Sequence, residues 1–182
     1  MKTKLSLLCL AFMLTSLIGF SQFKLEVGAI GTMPGNYYSE QIIDLGYGVY
    51  IEPKYKINDK FEVGVKIEGI FTNASLLVDL NNDISEFRFI SVTTKFNYLF
   101  SGKKLTPFVG IGIGAYQVHM HYTSIDRDIN YVDMGISPEF GIKYGDLSIS
   151  TSYIILSPNS DAAGNVSGLL ELNIGFDFNL EK

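Results

Sequence analysis

The sequence predicts an all-β protein, an eight-stranded antiparallel up-and-down transmembrane β-barrel. Three observations predict this fold. Apolar and polar residues alternate in about eight segments, short and long connections follow each other in turn, and aromatic residues collect near the short connections. Alternation with a period of two indicates a strand with one apolar and one polar face. An even number of such strands, joined alternately by tight turns and long loops, is typical of a membrane-spanning barrel.

Residues 1–21 have the pattern of a secretory signal peptide. Lys2 and Lys4 precede an apolar run over residues 5–20, and small residues stand near its end. Such segments are removed from the mature protein, so the barrel domain is expected to span residues 22–182. A retained membrane anchor is the alternative, but the apolar run is short for a spanning helix.

The composition excludes several classes of protein. Of the 182 residues, 47% are hydrophobic and only 18% are charged, which is inconsistent with a disordered chain. The formal net charge is −5 and no basic patch is present, so nucleic acid is not an expected partner. Cys9 is the single cysteine and lies within the predicted signal peptide, so the mature domain is expected to have no disulfide.

The alternating segments predict where the strands and connections lie. The strands are expected near residues 23–31, 45–57, 60–71, 86–100, 105–119, 131–144, 146–156 and 168–180. Three connections are tight turns, with the sequences Asn-Asp-Lys, Ser-Gly-Lys-Lys and Gly-Asp. The other connections are predicted to be long loops over residues 32–44, 72–85, 120–130 and 157–167. All tight turns then fall at one end of the barrel, together with both ends of the domain.

The polar face of the strands carries both charges. In the segment FEVGVKIEGIF, the residues that alternate with the apolar side chains include Glu62, Lys66 and Glu68. If this face points inward, the charges can pair inside a barrel just wide enough for side chains to fill. The predicted lumen network is Glu52, Lys54, Glu62, Lys66, Glu68, Lys95, Glu139, Lys143, Glu171 and Asp177. If the polar face points outward instead, it is an ordinary solvated surface.

The aromatic residues favour a lipid-facing apolar surface. Nine of them lie on the apolar face near the strand ends next to the tight turns: Phe23, Tyr55, Phe61, Phe96, Tyr98, Phe100, Tyr144, Phe176 and Phe178. Aromatic rings at this level form the interfacial girdle of membrane barrels. In a soluble barrel, the same rings would crowd one end of a narrow core.

The segment GIGIG of the fifth strand places Gly110, Gly112 and Gly114 on one face. Small inward residues leave room for long charged side chains of the neighbouring strands. A phosphate-binding loop is the alternative, but the segment lacks the strand–turn–helix setting that such a loop needs.

The quoted segments also resemble a known family. A leader ending in GFSQ, the strands FRFISVTTKFNYLF and TPFVGIGIGAY, and the closing LNIGFDF resemble small outer-membrane barrel proteins of Bacteroidetes-type bacteria. These are usually described as porin-family or OmpA/OmpX-like barrels. The resemblance implies an outer-membrane location and a role in envelope structure or surface interaction, without enzymatic activity. Such barrels often end on an aromatic residue, whereas four residues follow Phe178 here.

Two histidines offer the strongest alternative chemistry. His119 and His121 share a face and could form a metal pair completed by Asp126 or Asp128, although the chain has no third histidine. His121 and Thr123 also resemble the His–x–Ser arrangement of outer-membrane lipid A deacylases, with threonine in the nucleophile position. Solvated loop residues are the preferred interpretation of both, so no metal, cofactor or catalytic site is predicted.

The expected partners are outer-membrane lipid and lipopolysaccharide. The loops 32–44 and 72–85 contain Tyr37 and Tyr38, and Leu76, Leu77 and Val78, respectively. Apolar loop residues can mark contacts with an extracellular protein, and a continuation of the strands is the alternative interpretation. The barrel is expected to be a monomer with a closed, charge-lined lumen that passes at most very small solutes. A soluble lipocalin-like barrel with an apolar ligand inside is the competing interpretation, and the lipid A hydrolase is a second one.

Overall fold

A computed structural model describes residues 22–34, 42–43, 45–72, 74–75, 84–102, 104–122, 127–157 and 168–179. The predicted signal peptide, residues 1–21, lies outside these ranges. Among the described residues, no helix is long and apolar enough to cross a membrane.

Eight long strands close into one antiparallel barrel, as predicted. The strands are β1 Phe23–Pro34, β2 Gly46–Lys56, β3 Phe61–Thr72, β4 Ile84–Leu99, β5 Leu105–Tyr122, β6 Arg127–Tyr144, β7 Leu147–Leu156 and β8 Gly168–Asn179. Each strand pairs with the next along the chain, and β1 pairs with β8 to close the sheet. Val27 of β1, for example, lies opposite Ile51 of β2 on one side and Phe176 of β8 on the other. Closure removes the unpaired edges that an open sheet exposes.

The prediction of a long connection over residues 120–130 was wrong. The ladder between β5 and β6 continues as far as Tyr122 opposite Arg127. Its last rows alternate between polar pairs, such as His121 opposite Asp128, and the apolar pair of Met120 and Ile129. The Gln117 side chain donates a hydrogen bond to Asn130 at 3.1 Å. The apolar residues on the outward face of β5 end at Ala115, and polar Gln117 and His119 follow on that face, so the pattern that predicted the strand stops before the ladder does.

Two other predicted loops are partly ordered as strand. β1 continues to Pro34, and β4 already begins at Ile84. A two-residue ladder also joins Ile42–Ile43 to Ala74–Ser75, outside the barrel. The predicted loops 32–44 and 72–85 are therefore shorter than expected, and they touch each other through this ladder.

Tight turns connect the strands at one end, as the sequence predicted. Between β2 and β3, the Asn58 side-chain oxygen accepts hydrogen bonds from the backbone amides of Lys60 and Phe61, at 2.8 and 2.9 Å. In the same turn, Lys56 donates a hydrogen bond to Asp59, which lowers the pKa of the Asp59 carboxyl. Between β6 and β7, Gly145 has a φ of 61°, a conformation that side chains disfavour.

The apolar face of the barrel points outward and the polar face points inward. Tyr47 and Phe140 are 68% and 65% exposed, whereas Glu52 and Glu171 are 0% and 1% exposed. This is the reverse of a soluble protein, in which charged residues are rarely buried. The lipocalin-like alternative requires the apolar face inside and is inconsistent with this orientation.

Candidate functional site

The upper charged cluster of the lumen is centred on Lys66. Its ammonium nitrogen lies 2.5 Å from Glu68 Oε2 and 3.1 Å from Glu171 Oε2. It also donates to Asn173 Oδ1 at 3.1 Å. Ser152 donates a further hydrogen bond to Glu171 Oε2 at 2.7 Å. Because β3 and β8 are not neighbours in the sheet, the Lys66–Glu171 pair spans the lumen.

The middle charged cluster is centred on Lys95 of β4. Its ammonium nitrogen lies 2.6 Å from Glu139 Oε2 and 3.0 Å from Glu52 Oε2. Ser150 donates to the other oxygen of Glu139 at 2.6 Å. A weaker contact of 3.8 Å from Glu52 Oε1 to Lys54 joins this cluster to the one below.

The lower charged cluster contains two lysines and lies at the tight-turn end. Lys54 contacts Glu26 at 2.6 Å, and Lys143 contacts Glu62 at 2.7 Å. Asp177 lies between them, 3.8 Å from Lys54 and 3.6 Å from Lys143. The structure thus places all ten residues of the predicted network inside the barrel and groups them into three clusters, of which the middle and lower are linked through Glu52 and Lys54.

Glu26 is a member of the lower cluster that the predicted network did not include. Besides Lys54, it accepts hydrogen bonds from the Tyr50 hydroxyl at 2.7 Å and from Ser148 at 2.8 Å. Its position on the polar face of β1 was the available signal, since Glu26 alternates with outward-facing Leu25 and Val27. Only the pairing of β1 with β2 in the structure shows that Glu26 lies beside Lys54.

A small cavity separates the upper and middle clusters. Its volume is about 10 Å³, enough for roughly one water molecule. Lys66 and Glu171 line one side, and Lys95 and Glu139 line the other. Polar side chains therefore occupy most of the lumen at this level.

Apolar side chains occupy the lumen at the long-loop end, a feature that the predicted charge-lined lumen missed. This apolar layer consists of Ile30, Tyr50, Ile70, Phe89, Tyr116, Val118, Ile154, Leu156 and Leu169, with Tyr131 packed against it. The rings of Phe89 and Tyr116 pack with their centres 5.5 Å apart. Alternation did not predict this layer because both faces of the strands are apolar at this level. Inward Ile70 is followed by outward Phe71, and inward Leu169 by outward Leu170.

The inward glycines make room for neighbouring polar side chains, although on the fifth strand these are mainly uncharged rather than the long charged side chains that were predicted. A Cβ placed on Gly112 would lie 2.6 Å from Thr93 Cγ2 and close to the Oγ of Ser137. A Cβ on Gly64 of β3 would lie 2.6 Å from Glu52 Oε1. These glycines are therefore required by the width of the lumen rather than by backbone conformation.

The nine predicted girdle residues all lie on the outward face, near the tight-turn end of their strands. Several of the rings contact each other edge to face. The ring centres are 5.3 Å apart for Phe61 and Tyr98, and 5.0 Å apart for Tyr98 and Phe100. Phe176 and Phe178 form a similar pair at 5.1 Å. Edge-to-face packing is a favourable geometry for aromatic rings.

The two histidines lie on the outward face of β5 near the long-loop end. His121 Nδ1 is 2.8 Å from Asp128 Oδ1, and His119 Nε2 is 3.8 Å from the same oxygen. Asp128 of β6 is thus the carboxylate beside His121, whereas Asp133 and Glu139 are buried on the inner face. Thr123 and Asp126 lie outside the described residues. Within the described ranges, no group of three or more metal-ligating side chains is arranged to hold an ion.

The predicted partner loops fall mostly outside the described residues. Of the segment 32–44, the structure describes the end of β1, the pair Ile42–Ile43 and nothing between them. Of the segment 72–85, it describes Thr72, Ala74–Ser75 and the start of β4. The apolar loop residues that suggested a protein contact are not among these.

Sequence comparison identifies no relative. No protein-family model matches the chain, and no curated protein sequence matches it.

Solved structures with a similar fold include three eight-stranded outer-membrane barrels. Neisserial surface protein A aligns over 87% of this chain and 97% of its own, with 14% identity and a TM-score of 0.59. Ail, the attachment invasion locus protein of Yersinia pestis, aligns over 87% and 99%, with 13% identity and a TM-score of 0.51. The N-terminal barrel domain of Pseudomonas aeruginosa OprF aligns over 85% and 97%, with 17% identity and a TM-score of 0.51. The bacterial group implied by the sequence resemblance stays a prediction. The chain has the fold of the small OmpA- and OmpX-like outer-membrane β-barrels.

Proposed function

We propose that residues 22–182, released from the signal peptide 1–21, form a non-enzymatic outer-membrane barrel that serves envelope structure or surface interaction. The observation that carries this proposal is the inverted distribution of side chains. Ion pairs occupy the interior, and an apolar belt surrounds the exterior of the strands. In a lipid bilayer, acyl chains contact the apolar outward face while the charged side chains pair with one another inside. In water, the same arrangement would expose a large apolar surface.

The apolar belt has the height of a membrane. On β3, the outward positions from Phe61 to Phe71 are apolar residues or glycine. This length matches the roughly 9–11 residues that a tilted transmembrane strand needs. The belt ends on β5 after Ala115, where Gln117 and His119 follow on the same face. We infer that lipid acyl chains cover the belt and that the nine aromatic residues form its girdle on the periplasmic side.

The lumen is proposed to be closed. The three charged clusters fill the lumen from the tight-turn end to beyond its middle, and the apolar layer fills it at the long-loop end. A permeating ion would have to displace paired charges and then cross a dry apolar layer. Passage is therefore limited at most to very small solutes, and the porin label does not describe the proposed activity.

Surface interaction is supported by the lengths of the strands. β7 pairs with β6 only as far as Leu156, which lies opposite Gly135. Beyond this point, residues 127–134 of β6 continue to pair with β5. β4 likewise extends beyond the end of β3 at Thr72. The extended ends of β4, β5 and β6 thus form a three-stranded wall.

We propose that this three-stranded wall and the loops 32–44 and 72–85 face the cell exterior and contact a protein partner, while lipid and lipopolysaccharide surround the belt. The names of Neisserial surface protein A and of the attachment protein Ail are consistent with such a role. The barrel is proposed to act as a monomer.

The proposal is tested by membrane fractionation and by electrophoresis with and without boiling. A folded membrane barrel should sediment with the outer membrane, require detergent for extraction and change its mobility after boiling. Recovery in the soluble periplasmic fraction without detergent would overturn the proposal. A planar-bilayer recording of the extracted protein then tests the closed lumen, for which no stable conductance is expected.

A lipid A hydrolase is the second candidate, because Asp128 is positioned to orient His121. A carboxylate beside the histidine is what a general base needs. The test compares His121→Ala with His119→Ala for release of acyl chains from lipid A. Loss of release with the first variant alone would favour the hydrolase, and no release by the wild-type protein would exclude it.

A further inference from the structure

A groove of about 330 Å³ crosses the outward face of β3, β4 and β5 at the tight-turn end. Its lower wall is one row of the sheet, in which Phe61 lies opposite Tyr98 and Tyr98 lies opposite Val109. The ring of Tyr98 packs edge to face on Phe61, so the two rings hold each other in place. Val109 is smaller than either ring and leaves a depression at the end of this row.

The second wall is the next outward row, which contains Val63, Phe96 and Ile111. Phe96 and Ile111 are 54% and 45% exposed, so the groove opens to the surroundings of the barrel. A groove of this volume, lined by apolar side chains, accepts part of an apolar ligand. Because it is continuous with the apolar belt, its surroundings are the acyl chains of the bilayer, provided that the proposed membrane location holds.

Positive charge lies at the end of the groove that meets the membrane surface. The β2–β3 turn contributes Ile57 to the groove and presents exposed Lys60 beside it. The β4–β5 turn presents exposed Lys104. Two acids near this end are already paired: Asp59 with Lys56 at 2.8 Å, and Glu62, which lines the groove, with Lys143 at 2.7 Å. The backbone amide of Leu99, at the end of β4, donates to the carbonyl of Lys60 at 2.7 Å, so two exposed lysines lie in adjoining turns on a chain whose net charge is −5.

We propose that this groove and its lysines bind one anionic phospholipid of the periplasmic leaflet. An acyl chain lies between the two outward rows, and the phosphate contacts the ammonium groups of Lys60 and Lys104. This inference rests on the proposed membrane location. It adds that a specific lipid binds at one place on the belt.

The test is native mass spectrometry of the protein extracted in a mild non-ionic detergent and incubated with dioleoyl phosphatidylglycerol or dioleoyl phosphatidylcholine. We expect one phosphatidylglycerol molecule to stay bound, in preference to phosphatidylcholine. Val109→Phe should fill the groove and lower the bound fraction about tenfold. Val132→Phe, on the outward face of β6 and 64% exposed, is the matched control and should bind lipid like the wild type.

The headgroup contact is tested separately in the exposed turns. Lys60→Gln combined with Lys104→Gln should remove the preference for phosphatidylglycerol, whereas Arg88→Gln at the opposite end should keep it. Each variant is first shown to be folded by its change of mobility on boiling. Equal lipid binding by all variants, or no retained lipid on the wild-type protein, would overturn the inference. Either result leaves the membrane location itself intact, because fractionation tests that location independently.

Discussion

Lys66 of β3 reaches across the lumen to Glu171 of β8, with 3.1 Å between its ammonium nitrogen and the carboxylate oxygen. The same lysine also neutralises Glu68, so one cation holds two carboxylates that are both almost fully buried. Removal of a buried ion-pair partner leaves a charge without compensation, which is far more costly than loss of a surface pair. The barrel therefore depends on a small number of lysines.

Lys66→Met should lower the free energy of unfolding by about 3–5 kcal/mol, because Glu68 and Glu171 then lose their shared cation. Urea-induced unfolding in phospholipid vesicles measures this change. The control is Lys56→Met in the exposed pair with Asp59, for which a change below about 1 kcal/mol is expected. Adding Glu171→Gln to Lys66→Met should restore part of the loss. Equal effects of Lys66→Met and Lys56→Met would contradict the central role of the upper cluster.

A charge on the middle of the outward belt should oppose membrane insertion. Ile113 is 52% exposed on β5 and lies among apolar neighbours, so Ile113→Arg should cost about 2–4 kcal/mol of folding free energy in a bilayer. Gln117→Arg lies on the same face of the same strand beyond the belt, where the cost should be about 0–1 kcal/mol. Refolding into vesicles measures both values. A similar cost at the two positions would place the membrane elsewhere on the barrel.

The apolar layer should stabilise the barrel without being the sole barrier to ions. Phe89 is buried against Tyr116, so Phe89→Ala should lower the free energy of unfolding by about 3–5 kcal/mol. Phe140→Ala, which removes an outward ring of β6, serves as the comparison and should cost less. Single-channel recording of Phe89→Ala should still show no conductance, because the charged clusters remain. Stable pores in this variant would show that the apolar layer alone closes the lumen.

Two glycines distinguish the crowded interior from the open exterior. Gly112→Val places a side chain against Thr93 inside the lumen and should cost about 1–3 kcal/mol through overpacking. Gly69→Val points outward into open space on β3 and should be close to neutral or stabilising. Thermal or urea unfolding of the two variants checks the difference. The opposite order would mean that the two faces are assigned wrongly.

The sequence predicted which residues share a face, because alternation with a period of two is a property of each strand alone. In β3, this was enough to put Glu62, Lys66 and Glu68 on the same face. It was not enough to predict which carboxylate pairs with which lysine. Lys66 meets Glu171, more than a hundred positions away, only because the barrel closes with one particular register. Register depends on the pairing of all eight strands and on their tilt.

The sequence did not predict two features of the structure, because the alternation of apolar and polar residues differs there from the rest of the strands. The apolar layer lies where both faces of a strand are apolar, as at Ile70 and Phe71, so no pattern separates inside from outside. The extension of β5 and β6 lies where the outward face changes from apolar to polar, as at His121 and Asp128, while the other face keeps apolar residues such as Val118. By itself, the sequence determined the number of strands, most of their positions and the residues that share each apolar face, since these follow from local periodicity and turn chemistry. The tertiary structure decided the partners of the buried charges, the apolar layer and the groove beside Tyr98, since these depend on contacts between strands that are distant in the chain.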